Sequence, residues 1–231
     1  MKLAIFDSET TGLPPKNAKY ETDFMEFPYI LSMAWKCLLD GKESPTFEYV
    51  INQEGRTVPP EATAINGITQ AMTDASKFDT FTTLLQFMMD IDQADVIIGW
   101  NIFFDTSIIK ANVLRIVQGG KTPIAMYEKF TDLLHKDKRI DLMRVCHKIM
   151  GGKWPTLSEA YTRLFGEPFK AHTASGDVDA VVRIFKELRR GGELPLHITE
   201  IMNPIVLPSK PIDIQYNLLP REDKPVVVEE E

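Results

Sequence analysis

Short apolar runs of strand length dominate the opening of this chain, separated by polar stretches. Three strand-like runs open it: residues 2–7, then "YILSMAWKCLL" at 29–39, then "TFEYVIN" at 46–52. "DGKES" between the second and third reads as a hairpin connection, since Asp-Gly suits a tight reversal between antiparallel strands. Residues 14–28, "PPKNAKYETDFMEFP", are polar, bounded by prolines and without period, which predicts a loop. Helical spacing follows. "PPEATAINGIT" (59–69) opens on a proline pair suited to starting a short helix, and 78–92 places Phe81, Leu84, Leu85, Phe87 and Met88 at helical spacing. "DVIIGW" (95–100) is a short apolar strand and 104–118 a further helix. Two more helices are expected near 157–165 and 177–190, the last ended by Gly191-Gly192.

A meander of strands followed by alternating strands and helices predicts an α/β domain with a mixed sheet. From Gly191 onward, six of the chain's 15 prolines fall in 41 residues and periodicity is lost. That division predicts a domain at 1–190 and a Pro-rich acidic extension at 191–231. No internal repeat interrupts the pattern.

Charge sharpens this division. The chain's formal net charge is −7, but the extension holds eight acids and three bases, leaving 25 acids and 23 bases in residues 1–190. An acidic total therefore does not exclude a polyanionic partner for the domain, though it disfavours a long, tightly held duplex. The two cysteines, Cys37 and Cys146, are far apart and form no zinc-knuckle spacing. With no secretory pattern and no apolar run of membrane-spanning length, the expectation is a cytoplasmic protein without membrane contact.

Four acids sit where strands end or helices begin. In "IFDSETTGLP" an apolar run meets Asp7 and Glu9, which share a face because side chains alternate along a strand. "GWNIFFD" runs a strand out into Asn101 and then Asp105 at a helix start. "AHTASGDVDAVVRIF" places His172 five residues before Asp177, which opens the last helix. Each has a local explanation: a turn after the first strand, an acid complementing a helix dipole, an N-cap with a loop histidine. Together they mark the edge of an open α/β sheet, where ligand crevices form. Four carboxylates without cysteine or a helical histidine pair suit two Mg²⁺ or Mn²⁺ ions, whose charge would offset their repulsion.

"FDSETTGLP", "NIFFD" and "HTASGD" resemble, in order, the three motifs of the DEDDh 3′–5′ exonucleases. That group contains the proofreading epsilon subunit of bacterial DNA polymerase III and the ribonuclease T and oligoribonuclease enzymes, and "PEATAINGIT" resembles a helical segment of the epsilon-like branch. The resemblance implies a ribonuclease H-like mixed β-sheet flanked by helices. It also implies that Asp7, Glu9, Asp105 and Asp177 hold two metal ions across a scissile phosphate, while His172 takes the proton of the attacking water. The product would be a nucleoside 5′-monophosphate cut from a single-stranded DNA 3′ end in proofreading or repair, or from a short RNA or tRNA end. A module that binds nucleic acid or a polymerase without cutting is the remaining reading.

In family members the positions of Thr10, Thr11 and Leu13 cradle the terminal nucleotide. Asn66, Asn101 and Phe104 are further expected substrate contacts, Phe104 by stacking on a base or else by packing in the core beside Phe103. Asn66 and Trp100 stand where relatives often carry histidine. Arg183, Lys186, Arg189 and Arg190 give the last helix a basic side that reads as a solvated face. In the extension, "QYNLL" (215–219) resembles the peptide that docks polymerase partners on a sliding clamp, which would add a clamp or polymerase partner; a tail packing back on the domain is the plainer reading.

Overall fold

The computed structural model describes residues 1–192, so nearly all of the extension, with "QYNLL", lies outside the described residues. Six strands form one mixed sheet: β1 (Lys2–Thr10), β2 (Ile30–Leu39), β3 (Lys42–Glu43), β4 (Phe47–Val50), β5 (Val96–Gly99) and β6 (Arg139–Asp141). Nine helices are present among the described residues: α1 (Tyr20–Asp23), α2 (Pro60–Asn66), α3 (Gln70–Ala75), α4 (Thr80–Ile91), α5 (Ile102–Gln118), α6 (Ile124–Leu133), α7 (Leu142–Met150), α8 (Leu157–Phe165) and α9 (Ala174–Arg190).

The sheet order is β3-β2-β1-β5-β6, with β4 also paired to β2. β1 pairs antiparallel with β2 and parallel with β5, and β5 pairs parallel with β6. Asp40 and Gly41, at φ 49° and 82°, form the two-residue turn that "DGKES" predicts. β3 and β4 are two parts of one return strand. Lys42 and Glu43 pair with Leu39 and Leu38, whereas Phe47 pairs with Trp35, a shift of one residue across the break at Pro45. Proline lacks an N–H and belongs at such an edge irregularity.

Alternation along β1 divides the core into two layers. Leu3 and Ile5 pack with Val178, Val181 and Phe185 of α9 and with Leu142 and Cys146 of α7. Ala4 and Phe6 face the other way, onto Leu84 and Phe87 of α4, Ile108 and Ile109 of α5, and Phe130 of α6. Asp7 and Glu9 continue the Leu3–Ile5 parity, so they emerge on the face that α9 covers. This is the ribonuclease H-like mixed sheet expected from the motifs.

Several boundaries differ from the sequence reading. β1 runs on through Thr10, because β2 keeps pairing with it past the acids, with a register shift between Glu9 and Thr10. Residues 14–28 contain α1 and a 3₁₀ turn at Phe24–Glu26, held against α5 by Arg115, which donates to the carbonyls of Met25, Phe27 and Pro28. α3, α6, β6 and α7 have no counterpart in the pattern. α9 begins at Ala174, and its cap is Thr173, whose side chain accepts from the Gly176 N–H; Asp177 is therefore a first-turn residue, not the cap. The basic side of α9 is partly spent on neighbours: Arg183 pairs with Tyr161 and Glu167, Lys186 with Glu43, and Arg190 with Glu187. Among the described residues no helix is long and apolar enough to cross a membrane.

Candidate active site

The parallel strands β1, β5 and β6 end on one edge of the sheet, and the chain leaves β5 there through Asn101, held at φ 52°. Asparagine tolerates this left-handed conformation better than most residues. Its N–H donates to Asp141 Oδ1 at 3.0 Å, and Asp141 also caps α7 through the Met143 N–H. Asp141 is thus occupied as a structural acceptor. Its partner strand delivers Phe103 and Phe104 to the first turn of α5. Phe104 is partly buried against the core, and its neighbour Phe103 stands 64% exposed.

Three carboxylates converge at this edge. Asp7, Glu9 and Asp177 each place an oxygen within 4.8 Å of those of the other two. Two are neighbours on one face of β1, and the third comes down from the first turn of α9 on that face. Asp105, outside this 4.8 Å group, approaches from the first turn of α5 near enough for its charge to act on Asp7, and is enclosed at 3% exposure. Its Oδ1 accepts both the Ser8 N–H at 3.0 Å and the Ser8 hydroxyl at 2.6 Å. Ser8 lies between the two acids of β1 and points away from them, so it fixes Asp105 from the opposite face. Both helices aim their positive ends at the cluster.

The electrostatics are those of like charges gathered out of water. Burial, then the charges of Asp105, Asp177 and Glu9, push the Asp7 carboxyl far above the usual range. Burial likewise carries Asp105 to about 7 against the Ser8 hydrogen bonds. Asp177 reaches about 7 through burial and Glu9, with His172 pulling the other way. Burial raises Glu9 while His172 and the Asn66 side chain lower it. Asp177 Oδ1 is buried with no partner. An all-oxygen donor set with an orphaned buried carboxylate oxygen fits a hard divalent cation.

His172 lies on the exposed bend before α9 at φ 63°. The reason its loop can sit so close to α9 is Gly176. A Cβ there would overlap the Lys170 carbonyl oxygen and lie 2.6 Å from Thr173 Oγ1. Gly176→Ala is expected to displace 170–173 and lower turnover at least ~10-fold, more than it lowers Tm, since small misplacements of a reacting group are costly. Matched kinetics and thermal melts would show this, and unchanged turnover would contradict it.

One residue escaped the sequence reading. Glu48 on β4 is directly across from Ala34, which is across from Asp7, so Glu48 shares the acids' face. Its carboxylate accepts the Ser175 hydroxyl at 2.7 Å and the Ser175 N–H at 3.3 Å, anchoring the first turn of α9 between His172 and Asp177. Its charge also raises Glu9. The alternation of "TFEYV" signals its face, but only strand register reveals its neighbours.

The other expected contacts are distributed unevenly. Asn66, buried at the end of α2, lies against Glu9, and its Oδ1 accepts the Ile68 N–H at 3.0 Å. Thr10 donates to the Gly12 carbonyl, and Thr11 Oγ1 accepts the Tyr29 N–H, so both hydroxyls are engaged within the loop. Leu13 is 82% exposed. Trp100 packs partly against the α9-side core.

Known proteins bear on this geometry. A search of curated proteins finds no match, but 91 chains of solved structures match. The chain is similar to exonuclease X in complex with 5′-overhanging duplex DNA, at 17% identity and TM-score 0.51, over 82% of this chain and 93% of that one. It is also similar to exonuclease I of Methylocaldum szegediense (17%, TM-score 0.60, 87% and 43%). The zinc-bound exonuclease I–ssDNA complex of E. coli matches at 17% and TM-score 0.63, again over 87% and 43%. At these identities the likeness shows the fold, and the chain spans under half the length of the exonuclease I proteins. A family model described as "Exonuclease", of the RNase T type, matches residues 4–185, the span that carries all three motifs. The chain belongs to this exonuclease family, the DEDDh-type 3′–5′ exonucleases.

Proposed function

We propose that this protein is a metal-dependent exonuclease that removes nucleoside 5′-monophosphates from single-stranded DNA 3′ ends, in proofreading or repair. The observation that carries this reading is the convergence of Asp7, Glu9 and Asp177 within 4.8 Å beside enclosed Asp105. DNA is favoured as substrate because the similar exonuclease X and exonuclease I structures are complexes with DNA.

Asp7, Glu9 and Asp177, with Asp105 reaching in from α5, would hold two ions, Mg²⁺ or Mn²⁺. Bound ions of this kind neutralise charge on the transferring phosphoryl group and lower the pKa of water. The protein's own part begins with position. Ser8 and Asn66 fix the orientation of Asp105 and Glu9, and the exposed Leu13 and Phe103 offer apolar surface beside the cluster to the terminal nucleotide. His172 accepts the proton of the attacking water, for which imidazole is suited near neutral pH. The water oxygen bonds to phosphorus as the bond from phosphorus to the preceding 3′ oxygen breaks. That oxygen leaves as the new 3′-hydroxyl after protonation, and the terminal nucleotide departs as its 5′-monophosphate.

The assay uses matched single-stranded DNA and RNA oligonucleotides with Mg²⁺, Mn²⁺ or EDTA. Chelator-sensitive release of 5′-monophosphates from the 3′ end, faster on DNA, is expected. Preference for RNA would replace DNA by the exoribonuclease reading, and no release from either would leave a binding module. His172→Ala is expected to lower kcat by ~10²–10⁴-fold with metal affinity nearly retained. Equal loss of both would remove His172 from the proton-accepting role.

A further inference from the structure

A cavity of about 390 Å³ opens beside the start of β2 and the far half of α5. Tyr29, Glu54, Arg56, Asn112, Arg115 and Lys121 are among its lining residues. The guanidiniums of Arg56 and Arg115 both lie over the Tyr29 ring, at 4.4 and 4.2 Å from its centroid, and the Nε–H of each is buried without a partner. Glu54 is the acid of the group, shared between Lys121 at 2.8 Å and Arg56 at 3.5 Å. Three cations against Glu54, with Asp79 also acting on Lys121 from the start of α4, still leave a net positive charge here, although acids outnumber bases 25 to 23 over residues 1–190.

The three cations are not equally committed. Arg115 is consumed by the carbonyls of Met25, Phe27 and Pro28, so it staples the 14–28 segment to α5. Burial lowers its pKa, and the Arg56 charge adds to this. An oxyanion in the cavity would relieve both guanidiniums. Arg56 and Lys121, with side chains 33% and 50% exposed, remain accessible to supply it with donors.

Location ties the cavity to the acidic cluster. Tyr29 and Thr11 exchange two hydrogen bonds of 2.9 Å, and Thr11 is two residues beyond Glu9. Asn112, on the near wall of the cavity, is seven residues beyond Asp105, and Arg115, which shares the Tyr29 ring with Arg56, is ten, so roughly 10–15 Å of α5 separates the cavity from the acids at 1.5 Å per residue. A stacked nucleic-acid strand advances ~3.4 Å per nucleotide, so the interval is roughly three to four nucleotides.

We infer that the Arg56–Lys121 cavity is a phosphate subsite that grips the substrate strand about three to four nucleotides upstream of the bond being cut. The inference rests on the nuclease reading for its substrate. It would let the enzyme hold a strand by backbone charge, without reference to sequence, while the terminal nucleotide is exchanged at the acids. The same chemistry would recognise a free phosphate ester, and the experiment separates the two.

Fluorescent oligothymidylates of two to twelve nucleotides, with phosphorothioate linkages and Ca²⁺ to prevent cleavage, are titrated by anisotropy into the full chain. The same titration is run with Arg56→Gln/Lys121→Gln and with Lys121→Gln alone, whose half-exposed side chain can be lost without unfolding; inorganic phosphate and thymidine 5′-monophosphate serve as competitors. The double variant is expected to bind the longer oligomers ~5–10-fold more weakly and with a salt slope reduced by ~0.7–1.4, and the single variant to show part of that loss. The dinucleotide, too short to reach the cavity, should bind both variants like wild type. Equal loss at every length, or none at any, would overturn the subsite. Displacement by phosphate or the mononucleotide in wild type but not in the variants would assign the cavity to a free phosphate ester instead. Length-dependent binding lost in the variants, with no chelator-sensitive cleavage by wild type, would sink the nuclease reading and leave the subsite standing.

Discussion

Asp7→Asn is expected to reduce metal-dependent hydrolysis at least ~10³-fold and, in the same protein freed of metal, to raise Tm at pH 8. The activity loss follows from removing a central member of the three carboxylates that meet within 4.8 Å. A factor of ~10³ corresponds to ~4 kcal/mol of transition-state stabilisation, the scale of a bound ion's contribution. The stability gain has a separate origin. The Asp7 carboxyl is destabilised by burial and by Asp105, Asp177 and Glu9. An amide of the same shape removes the charge and can donate to a neighbouring carboxylate. Function here opposes stability, as at other sites that gather like charges. Unchanged cleavage with an unchanged metal requirement would take Asp7 out of the site, and a lower Tm at pH 8 would contradict the repulsion.

Metal-free protein should also lose stability as pH rises from 5 to 8, and Mg²⁺ should restore it. Unfolded aspartate ionises near 3.8, whereas folded Asp105 and Asp177 are carried to about 7, and Asp7 and Glu9 are raised as well. Between those limits the folded state holds more protons than the unfolded one. Raised carboxyls therefore stabilise at low pH, and that contribution is lost as pH climbs towards their folded values. Starting at pH 5 avoids the opposite effect of Glu43, Glu54 and Glu159, which basic neighbours hold below the ordinary range. Between pH 5 and 7 one carboxyl carried to about 7 loses ~2.7 kcal/mol of its contribution; water entering around the ionised groups would reduce this to ~1.5 kcal/mol, or ~3–6 °C in Tm. An ion at ~100 times its Kd adds ~2.7 kcal/mol to the folded state. Thermal melts at both pH values, in EDTA and in Mg²⁺, test this directly. A Tm that rises with pH in EDTA, or one indifferent to Mg²⁺ at pH 8, would contradict the account.

Legibility differed between regions for physical reasons. The acids of "FDSETTGLP" stood out because a strand's two-residue period puts Asp7 and Glu9 on one face whatever surrounds them. Residues 119–156 were opaque by comparison. β6 is three residues long, too short to show a period, and α7 follows it without an intervening loop. α1 is a four-residue helix with no buried residue, and the 3₁₀ turn after it is held at Met25 by Arg115 from α5, so the segment's stability comes from a distant side chain rather than its own pattern. Phe103 and Phe104 were symmetrical as letters. Their difference in burial depends on how α5 is rotated against the core.

From the order of residues alone come the α/β alternation, the Asp-Gly hairpin, the exonuclease motifs and the identity of the acids, because these depend on local geometry and on residue chemistry. Contacts belong to the tertiary structure. Pairing of β4 with β2 brings Glu48 to Ser175 across 127 positions, and the packing of α5 beside β1 gives Asp105 to Ser8 across 97. The same folding carries three of the acids to within reach of one ion and gathers Arg56, Arg115 and Lys121 around Tyr29. A periodic pattern specifies which way a side chain faces, whereas what it meets there is set by strand register and helix rotation, which are properties of the whole packed chain.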